Sequence, residues 1–154
     1  LPQKIDLLPG SISENIAYPE DQSDINRVRS ALKKVDLESF FQSKPNQFES
    51  NIGDGGQGLS GGQAQRVHLA RIFYHSCELV LIDEGTSALD PENERLIHQS
   101  LKELAAQGSC LLMIAHRPSA LEIANSVLVF SKGKIVAQGD PGTIKTNPNF
   151  LNVF

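Results

Sequence analysis

The chain is poor in several features that would each indicate a particular class of protein. It has no tryptophan, one methionine and only two cysteines among 154 residues, too few cysteines for the disulfide framework of a small secreted domain. Two cysteines still allow one disulfide. No stretch approaches the ~20 apolar residues that cross a bilayer as a helix, and the first residues do not resemble a cleavable signal peptide. A reducing, cytoplasmic environment is the expectation.

The chain also has fewer basic than acidic residues. The chain has 14 Lys and Arg against 18 Asp and Glu, a net charge of −4. A protein that neutralises many nucleic-acid phosphates needs a basic surface, so we expect no nucleic-acid partner. The content of 40% hydrophobic and 21% charged residues is typical of a soluble globular domain. Residue 1 is Leu rather than Met, and we expect the chain to be a piece of a longer protein.

The first half of the chain has patterns typical of short helices. Apolar residues recur at helical spacing over residues 24–37, and shorter helices are predicted at 11–17 and 37–42. The polar stretch "KPNQFESN", residues 44–51, is predicted to be a loop. Residues 53–62 contain six glycines, which no regular element tolerates well. A longer helix is predicted to begin at "SGGQAQRV".

The second half predicts a parallel α/β core. The runs "ELVLID" and "CLLMIA" are apolar without alternation, which indicates strands buried on both faces. Between them lies a helix that is predicted to begin after Asp90 and to stop at Gly108. A strand, a helix and a second buried strand imply a parallel pair with a right-handed crossover. The remaining predicted elements are helices at 118–124 and 141–145 and a hairpin of "SVLVFS" and "KIVAQG" around Lys132 and Gly133.

Reactive side chains follow both predicted core strands. Asp83 and Glu84 come at the end of the first strand, and His116 comes just after the second. The carboxyl ends of parallel strands meet at one edge of a sheet, where active sites form. One acid can hold Mg²⁺ while the other orients and deprotonates a water, and the cation stabilises two adjacent ionised carboxylates. A histidine there could contact a phosphate or fix the water.

The sequence "LSGGQ" at residues 59–63 has two interpretations. Ser60 and Gln63 fit a capping box at the start of a helix. Glycines at a helix N-terminus also expose backbone N–H groups to an anion such as phosphate. Capping alone does not require Gly61 and Gly62, which cost helix stability, so phosphate contact is favoured.

Two other patterns in the sequence concern nucleotide binding. Gly53, Gly55 and Gly58 satisfy G-x-G-x-x-G, but no buried strand precedes them as a dinucleotide-binding fingerprint requires. A nicotinamide-dependent oxidoreductase is therefore disfavoured. The phosphate-binding pattern G-x-x-x-x-G-K-[ST] is absent from the sequence. The remaining histidines are predicted to be surface or packing residues: His68, His75 and His98.

Together these motifs resemble those of ABC-transporter nucleotide-binding domains. "LSGGQAQRVHLAR" is similar to the signature motif, "LVLIDEGTSALD" to the Walker B strand with the D-loop, and "IAHR" to the H-loop. Gln3 stands where the Q-loop glutamine belongs. "LLPGSISENI" and "NIGDGGQG" resemble segments of exporter-type members, the second being the X-loop. The likeness is collinear across essentially the whole chain.

The resemblance implies an α/β fold. The chain would be a partial P-loop NTPase (RecA-like) parallel-sheet core with an inserted helical subdomain. Residues 1–10 would be the Q-loop and entry segment, and residues 11–76 the helical subdomain ending in the signature helix. Residues 77–154 would be the carboxyl-terminal half of the core.

The resemblance also implies roles for the residues at the strand ends. Asp83 would support Mg²⁺, Glu84 would be the general base, and His116 would steady the γ-phosphate of ATP. Gln3 would contact Mg²⁺ or water and sense the transmembrane partner.

The signature segment and the D-loop would act across a dimer. Ser60, Gly61, Gly62 and Gln63 would contact the γ-phosphate of ATP held by the opposite subunit. Asp90 would couple the two sites. The implied partners are a second nucleotide-binding domain, in a homo- or heterodimer, and the transmembrane domain reached through the Q-loop region.

The expected function is ATP hydrolysis that drives export, at the cytoplasmic face of the membrane within an integral membrane transporter. Two alternatives remain: a soluble ABC-type ATPase acting on nucleic acid or in translation, and a non-catalytic binding or regulatory module. The sequence departs from the family at Gly85, where proline is common, and at Gly55, where exporters often carry arginine. The Walker A segment is absent, so we expect the isolated chain to be inactive.

Overall fold

A computed structural model describes residues 7–53, 56–86 and 89–152. They fall into two units, Leu1–Ile114 and Ala115–Phe154, and each is described by itself. Gln3 lies outside the described residues. The division of the chain into an entry segment, a helical subdomain and a core, with boundaries after residues 10 and 76, remains a prediction.

The first part of the first unit is helical, as the periodicity predicts. Its elements are β1 (Gly10–Ser11), α1 (Ile12–Ala17), α2 (Ile25–Lys34), α3 (Glu38–Gln42), β2 (Asn51–Ile52) and α4 (Gly61–His75). Helices α1 and α2 both pack against α4. Side-chain caps from Ser11, Asp24 and Ser60 fix the starts of α1, α2 and α4, because each accepts a hydrogen bond from an otherwise unsatisfied N–H of the first turn.

Apolar residues at helical spacing form the core of this helical part. On α2 the fully buried residues are Val28, Ala31 and Leu32, which the sequence pattern places on one face. On α4, Val67, Ala70 and Tyr74 are buried. The signature segment is therefore the first turn of a helix that is firmly packed along its length.

The loop predicted at residues 44–51 is partly ordered into regular structure. A 3₁₀ turn spans Gln47–Glu49, and β2 pairs antiparallel with β1. The prediction was wrong here because a two-residue strand has too few positions to show alternation, and its partner lies about forty residues earlier in the chain.

The predicted parallel pair is confirmed. Strands β3 (Leu79–Asp83) and β4 (Cys110–Ile114) run parallel, with Leu79 opposite Cys110 and Asp83 opposite Ile114. Helix α5 (Pro91–Ala106) connects them and buries Ile97 and Leu101 completely. The helix ends just before Gly108, whose φ of 110° suits the left-handed backbone that terminates many helices.

Burial of these strands differs from the prediction. Val80 and Ile82 are buried, but Leu79 and Leu81 are 58% and 53% exposed. On β4 the apolar residues Leu112 and Ile114 are also more than half exposed. An unbroken apolar run predicts burial on both faces only when a layer covers each face, and here one face of the pair is open to solvent.

The second unit contains the predicted hairpin. Strands β5 (Val127–Ser131) and β6 (Lys134–Gly139) pair antiparallel, and the turn residues Lys132 and Gly133 both have positive φ, 48° and 73°. Two positive φ values are the geometry of the tight hairpin turn that matches strand twist. The predicted position of the turn is confirmed.

Short helices complete the second unit around a small core. They are a 3₁₀ helix at Pro118–Glu122, α6 (Pro141–Ile144) and α7 (Pro148–Leu151). The first was predicted as an ordinary helix, and α7 was not predicted, because segments this short carry little periodic signal. The core residues are Leu121, Val129, Ile144 and Phe150.

Two further features concern the cysteines and the hydrophobicity of the helices. Cys77 and Cys110 are both free and exposed. Among the residues that the structure describes, no helix is long and apolar enough to cross a membrane.

Candidate functional site

The acid pair lies where β3 ends. Asp83 is the last residue of the strand and Glu84 is the next, with its backbone N–H donating to the carbonyl of Ile114 at 3.1 Å. Both acids are half-buried. The ladder therefore fixes the backbone of both acids against β4, while solvent and ligands can still reach their carboxylates.

Glu84 has a left-handed backbone conformation, with φ of 52°. A non-glycine residue in this region is uncommon and costs on the order of 1–3 kcal/mol. Such strain is often found at active sites, where a side chain must be held in one place.

The segment after the acids is anchored at both ends. Thr86 donates from its hydroxyl to Glu94 on α5 at 3.3 Å, between two buried side chains. Asp90 caps α5 by accepting from the backbone N–H groups of Glu92 and Asn93, at 3.1 and 3.0 Å. The backbone N–H and then the side-chain amide of Asn93 lower the pKa of Asp90, so this carboxylate is charged at neutral pH.

The signature segment forms the capping box that one interpretation predicts. Ser60 Oγ accepts from the backbone N–H of Gln63 at 3.2 Å, and Gln63 Oε1 accepts from the backbone N–H of Ser60 at 2.9 Å. Capping therefore explains Ser60 and Gln63. It does not explain the glycines between them.

Gly61 is not required by the fold. A Cβ built there would meet no atom within 4 Å in the described part of the chain, and its φ is outside the left-handed region. Gly61 is exposed at the first position of a 15-residue helix, where the helix dipole favours an anion. Backbone that is left uncovered at this place suits the close approach of a phosphate from outside the chain.

His116 lies in the second unit, two residues beyond the end of β4, and is exposed. Its position follows the strand end as predicted, but its convergence with the acids remains a prediction. The residues that the structure does bring together are Asp83 with Glu84 at one strand end, and Ser60 to Gln63 in one helix turn.

The donor set fits magnesium bound together with a nucleotide. The described residues contain no group of three or more His, Cys, Asp or Glu side chains that could hold a metal. Mg²⁺ is usually held by one or two carboxylates plus substrate phosphates and water. The two half-buried carboxylates at the end of β3 match that requirement.

Sequence reasoning missed two residues that contact this segment, Glu94 and Asn93. Glu94 is a buried acid. Its burial could not be predicted, because a glutamate on a helix is usually exposed. Asn93 stands at the third position of α5, and only the capping spacing after Asp90 gives a signal for it.

Known proteins match almost the whole chain. The profile of the ABC transporter family matches residues 1–87. The ATP-dependent lipid A-core flippase of Saccharophagus degradans is 39% identical over 142 residues, covering 92% of this chain and 24% of the flippase. The leukotoxin translocation ATP-binding protein LktB of Mannheimia glucosida is 38% identical over 145 residues, 94% of this chain and 20% of that protein. The chain thus spans between a fifth and a quarter of the length of these relatives.

A solved structure supports the same assignment. A bacterial Atm1-family ABC exporter with ATP bound superposes with a TM-score of 0.89 at 29% identity, covering 99% of this chain and 27% of the exporter. The similarity confirms the predicted fold class, a partial P-loop NTPase fold. From the motifs, the fold and these matches, the chain belongs to the ABC transporter family.

Proposed function

We propose that this chain is part of the ATP-hydrolysing domain of an ABC exporter. The observation that carries the proposal is the acid pair at the end of β3, with Glu84 held in a left-handed conformation. A fixed pair of accessible carboxylates suits a site where one acid serves a metal and the other a water.

The two acids have separate tasks in this proposal. Asp83, inside the strand ladder, supports Mg²⁺, either directly or through water, and Gln3 assists it. Glu84 orients the attacking water and accepts its proton as general base. When bound, Mg²⁺ would neutralise charge that develops on the phosphoryl oxygens. His116 donates to the γ-phosphate of ATP and holds it in line for attack.

Each chain contributes to two sites. Its acids act on one ATP, while Ser60, Gly61, Gly62 and Gln63 contact the γ-phosphate of an ATP held by a second subunit. The open approach to Gly61 supports this role, because it leaves backbone free to face a phosphate from outside the chain. Asp90, at the start of α5, couples the two sites.

The names of the relatives, a lipid A-core flippase and a leukotoxin translocation protein, support a membrane setting for the domain. We place the domain at the cytoplasmic face of a membrane, joined to a transmembrane domain through the region around Gln3. Residues 11–76 would be its helical subdomain, between an entry segment at 1–10 and the core at 77–154. The relatives' names differ in cargo, so the proposed function is ATP-driven export without a named cargo. The isolated chain, which lacks G-x-x-x-x-G-K-[ST], would show negligible ATPase activity.

The test is Glu84→Gln in the full-length protein that contains this chain. Glutamine keeps the shape of the side chain but cannot accept the proton, so turnover should fall by about 10²-fold or more while ATP binding is retained. Glu92→Gln, an exposed acid in the first turn of α5, is the matched control and should leave turnover unchanged. Normal turnover by Glu84→Gln would refute the assignment of the base.

A further inference from the structure

The side chain of Asn93 lies between two other functional elements. Its Oδ1 accepts a hydrogen bond from Nη1 of Arg66 on α4. Its Nδ2 donates to Oδ2 of Asp90 at 2.6 Å. The contact chain Arg66–Asn93–Asp90 therefore connects the helix that begins with the signature segment to the aspartate that caps α5.

The chemistry of the three groups fixes the orientation of the amide. An arginine can only donate and an ionised carboxylate can only accept. Asparagine presents one acceptor and one donor on a short, planar group, so each end faces the partner it can satisfy. Neither aspartate nor leucine, although both are similar in size to asparagine, could satisfy both partners.

Arg66 is itself held firmly. Its side chain is only 13% exposed, and Nη1 also donates to the backbone carbonyl of Asp36 at 3.2 Å and lies 3.6 Å from the Asp36 carboxylate. These acceptors lie just beyond the end of α2, where a helix presents unsatisfied carbonyls to a cation. One end of the contact chain is thus fixed to the packed helices, while Asp90 at the other end is exposed.

We propose that Asn93 is a positioning residue that makes Asp90 move with α4. The inference rests on the proposed function, in which the first turn of α4 faces a partner's phosphate and Asp90 couples the two sites. A shift of α4 on nucleotide contact would reach Asp90 through Arg66 and the amide of Asn93. The backbone N–H of Asn93 and then this side-chain hydrogen bond lower the pKa of Asp90.

A double-mutant cycle in the full-length protein tests the proposal. Asn93→Ala should lower kcat about tenfold and leave the KM for ATP within about twofold, because Asp90 is misplaced but ATP binding is not. In an Asp90→Asn background, which retains a good helix cap, the same Asn93→Ala change should alter kcat by less than about twofold. An equal reduction in both backgrounds would show that Asn93 acts only through the stability of α5, and would overturn the proposal.

Two further variants make the result decisive. Gln99→Ala removes an exposed side-chain contact to Glu103 on the same helix and should leave kcat unchanged. Asn93→Asp keeps the shape and the acceptor for Arg66 but sets a second carboxylate against Asp90, so it should lower kcat at least as much as Asn93→Ala. If Asn93→Ala fails to fold, Asn93→Asp provides the test in its place. A wild-type kcat in Asn93→Asp would overturn the proposal.

Glu84→Gln is measured beside these variants. If it abolishes turnover while the Asn93 effect is the same in both Asp90 backgrounds, the proposed function stands and the positioning role fails. If it leaves turnover intact, the proposed function itself fails.

Discussion

At the scale of single residues, Gly61 distinguishes what the fold requires from what the proposed function requires. Neither packing nor backbone conformation requires glycine there within the described residues, and glycine in a helix is less favourable than alanine. Gly61→Ala should therefore leave stability unchanged or raise it by about 0.5 kcal/mol, measured by chemical denaturation of the full-length protein. Its ATP turnover should fall severalfold, because the methyl group covers backbone that is proposed to face a phosphate.

The matched control for this prediction is Gly58→Ala. A Cβ at Gly58 also meets no atom within 4 Å in the described chain, but its φ of 91° is in the left-handed region, so alanine there should destabilise. Wild-type turnover in Gly61→Ala would contradict the phosphate role.

At this scale the sequence predicts the place of a residue in the fold where that place follows from its position along an element. Asp83 and Glu84 could be predicted at a strand end, and Ser60 and Gln63 at a helix start, because capping and strand termination are local. The left-handed conformation of Glu84 could not be predicted, since glutamate carries no preference for it. The Arg66 contact to Asn93 joins residues 27 positions apart, so it depends on how two helices pack.

At the scale of elements, a polar cluster at Tyr74 ties three helices of the first unit together. The Tyr74 hydroxyl donates to Glu20 at 2.8 Å and accepts from the backbone N–H of Asp24 at 3.1 Å. The Arg27 guanidinium lies 4.0 Å from the centre of its ring. These contacts hold the end of α1 and the start of α2 against the end of α4, so the cluster fixes the far end of the signature helix.

Tyr74→Phe should destabilise the protein by about 1–2 kcal/mol, because two hydrogen bonds of a buried side chain are lost. The hydroxyl of Tyr74 lowers the pKa of Glu20, with Arg27 assisting. Because the pKa of Glu20 is lower in the folded state, Glu20 stabilises the fold at pH values above its unfolded-state pKa of 4.5. This stabilisation is lost as the pH falls through the folded-state pKa.

Chemical denaturation from pH 7 down to pH 4 and below measures the effect of Tyr74→Phe. The difference between wild type and the variant should be largest at pH 7 and shrink on acidification. Tyr18→Phe, at an exposed tyrosine, is the control and should change stability by less than about 0.5 kcal/mol. A difference in the free energy of unfolding between wild type and Tyr74→Phe that grows as the pH falls would contradict the role of Glu20.

The long elements could be predicted and the shortest could not. Helices α2, α4 and α5 show several turns of apolar periodicity, and β3 and β4 are clear apolar runs. The pairing of β1 with β2 and the helix α7 involve two to four residues each, too few to produce a period. The exposed face of the β3–β4 pair could not be predicted for another reason. Apolar residues favour burial, but whether they are buried depends on whether another layer of the structure packs against that face.

At the scale of the whole molecule, the exposed apolar face of the β3–β4 pair is explained by the fact that the chain spans only part of the length of its relatives. Four large apolar side chains, Leu79, Leu81, Leu112 and Ile114, are each more than half exposed, and such adjacent exposure marks a contact surface. The chain spans about a quarter of its relatives. We expect this face to be covered by another part of the full-length protein.

Leu81→Asn in the full-length protein tests that expectation. If the side chain is buried there, its replacement should lower the midpoint of thermal unfolding of the domain by about 5 °C or more. Ile25→Asn, on a 43% exposed position of α2, should shift the midpoint by less than about 2 °C. Equal small shifts in both variants would show that the face stays exposed.

ATP turnover in mixed dimers of the full-length protein tests most directly whether one chain serves two sites. Two changes are combined: Glu84→Gln, which removes the base, and Gly61→Glu, which places a negative side chain where the partner's phosphate would approach. With the changes on different subunits, one site keeps both its base and its signature segment, and about half of the wild-type turnover should remain. With both changes on the same subunit, neither site is complete and turnover should be lost. The reverse pattern would contradict the shared sites.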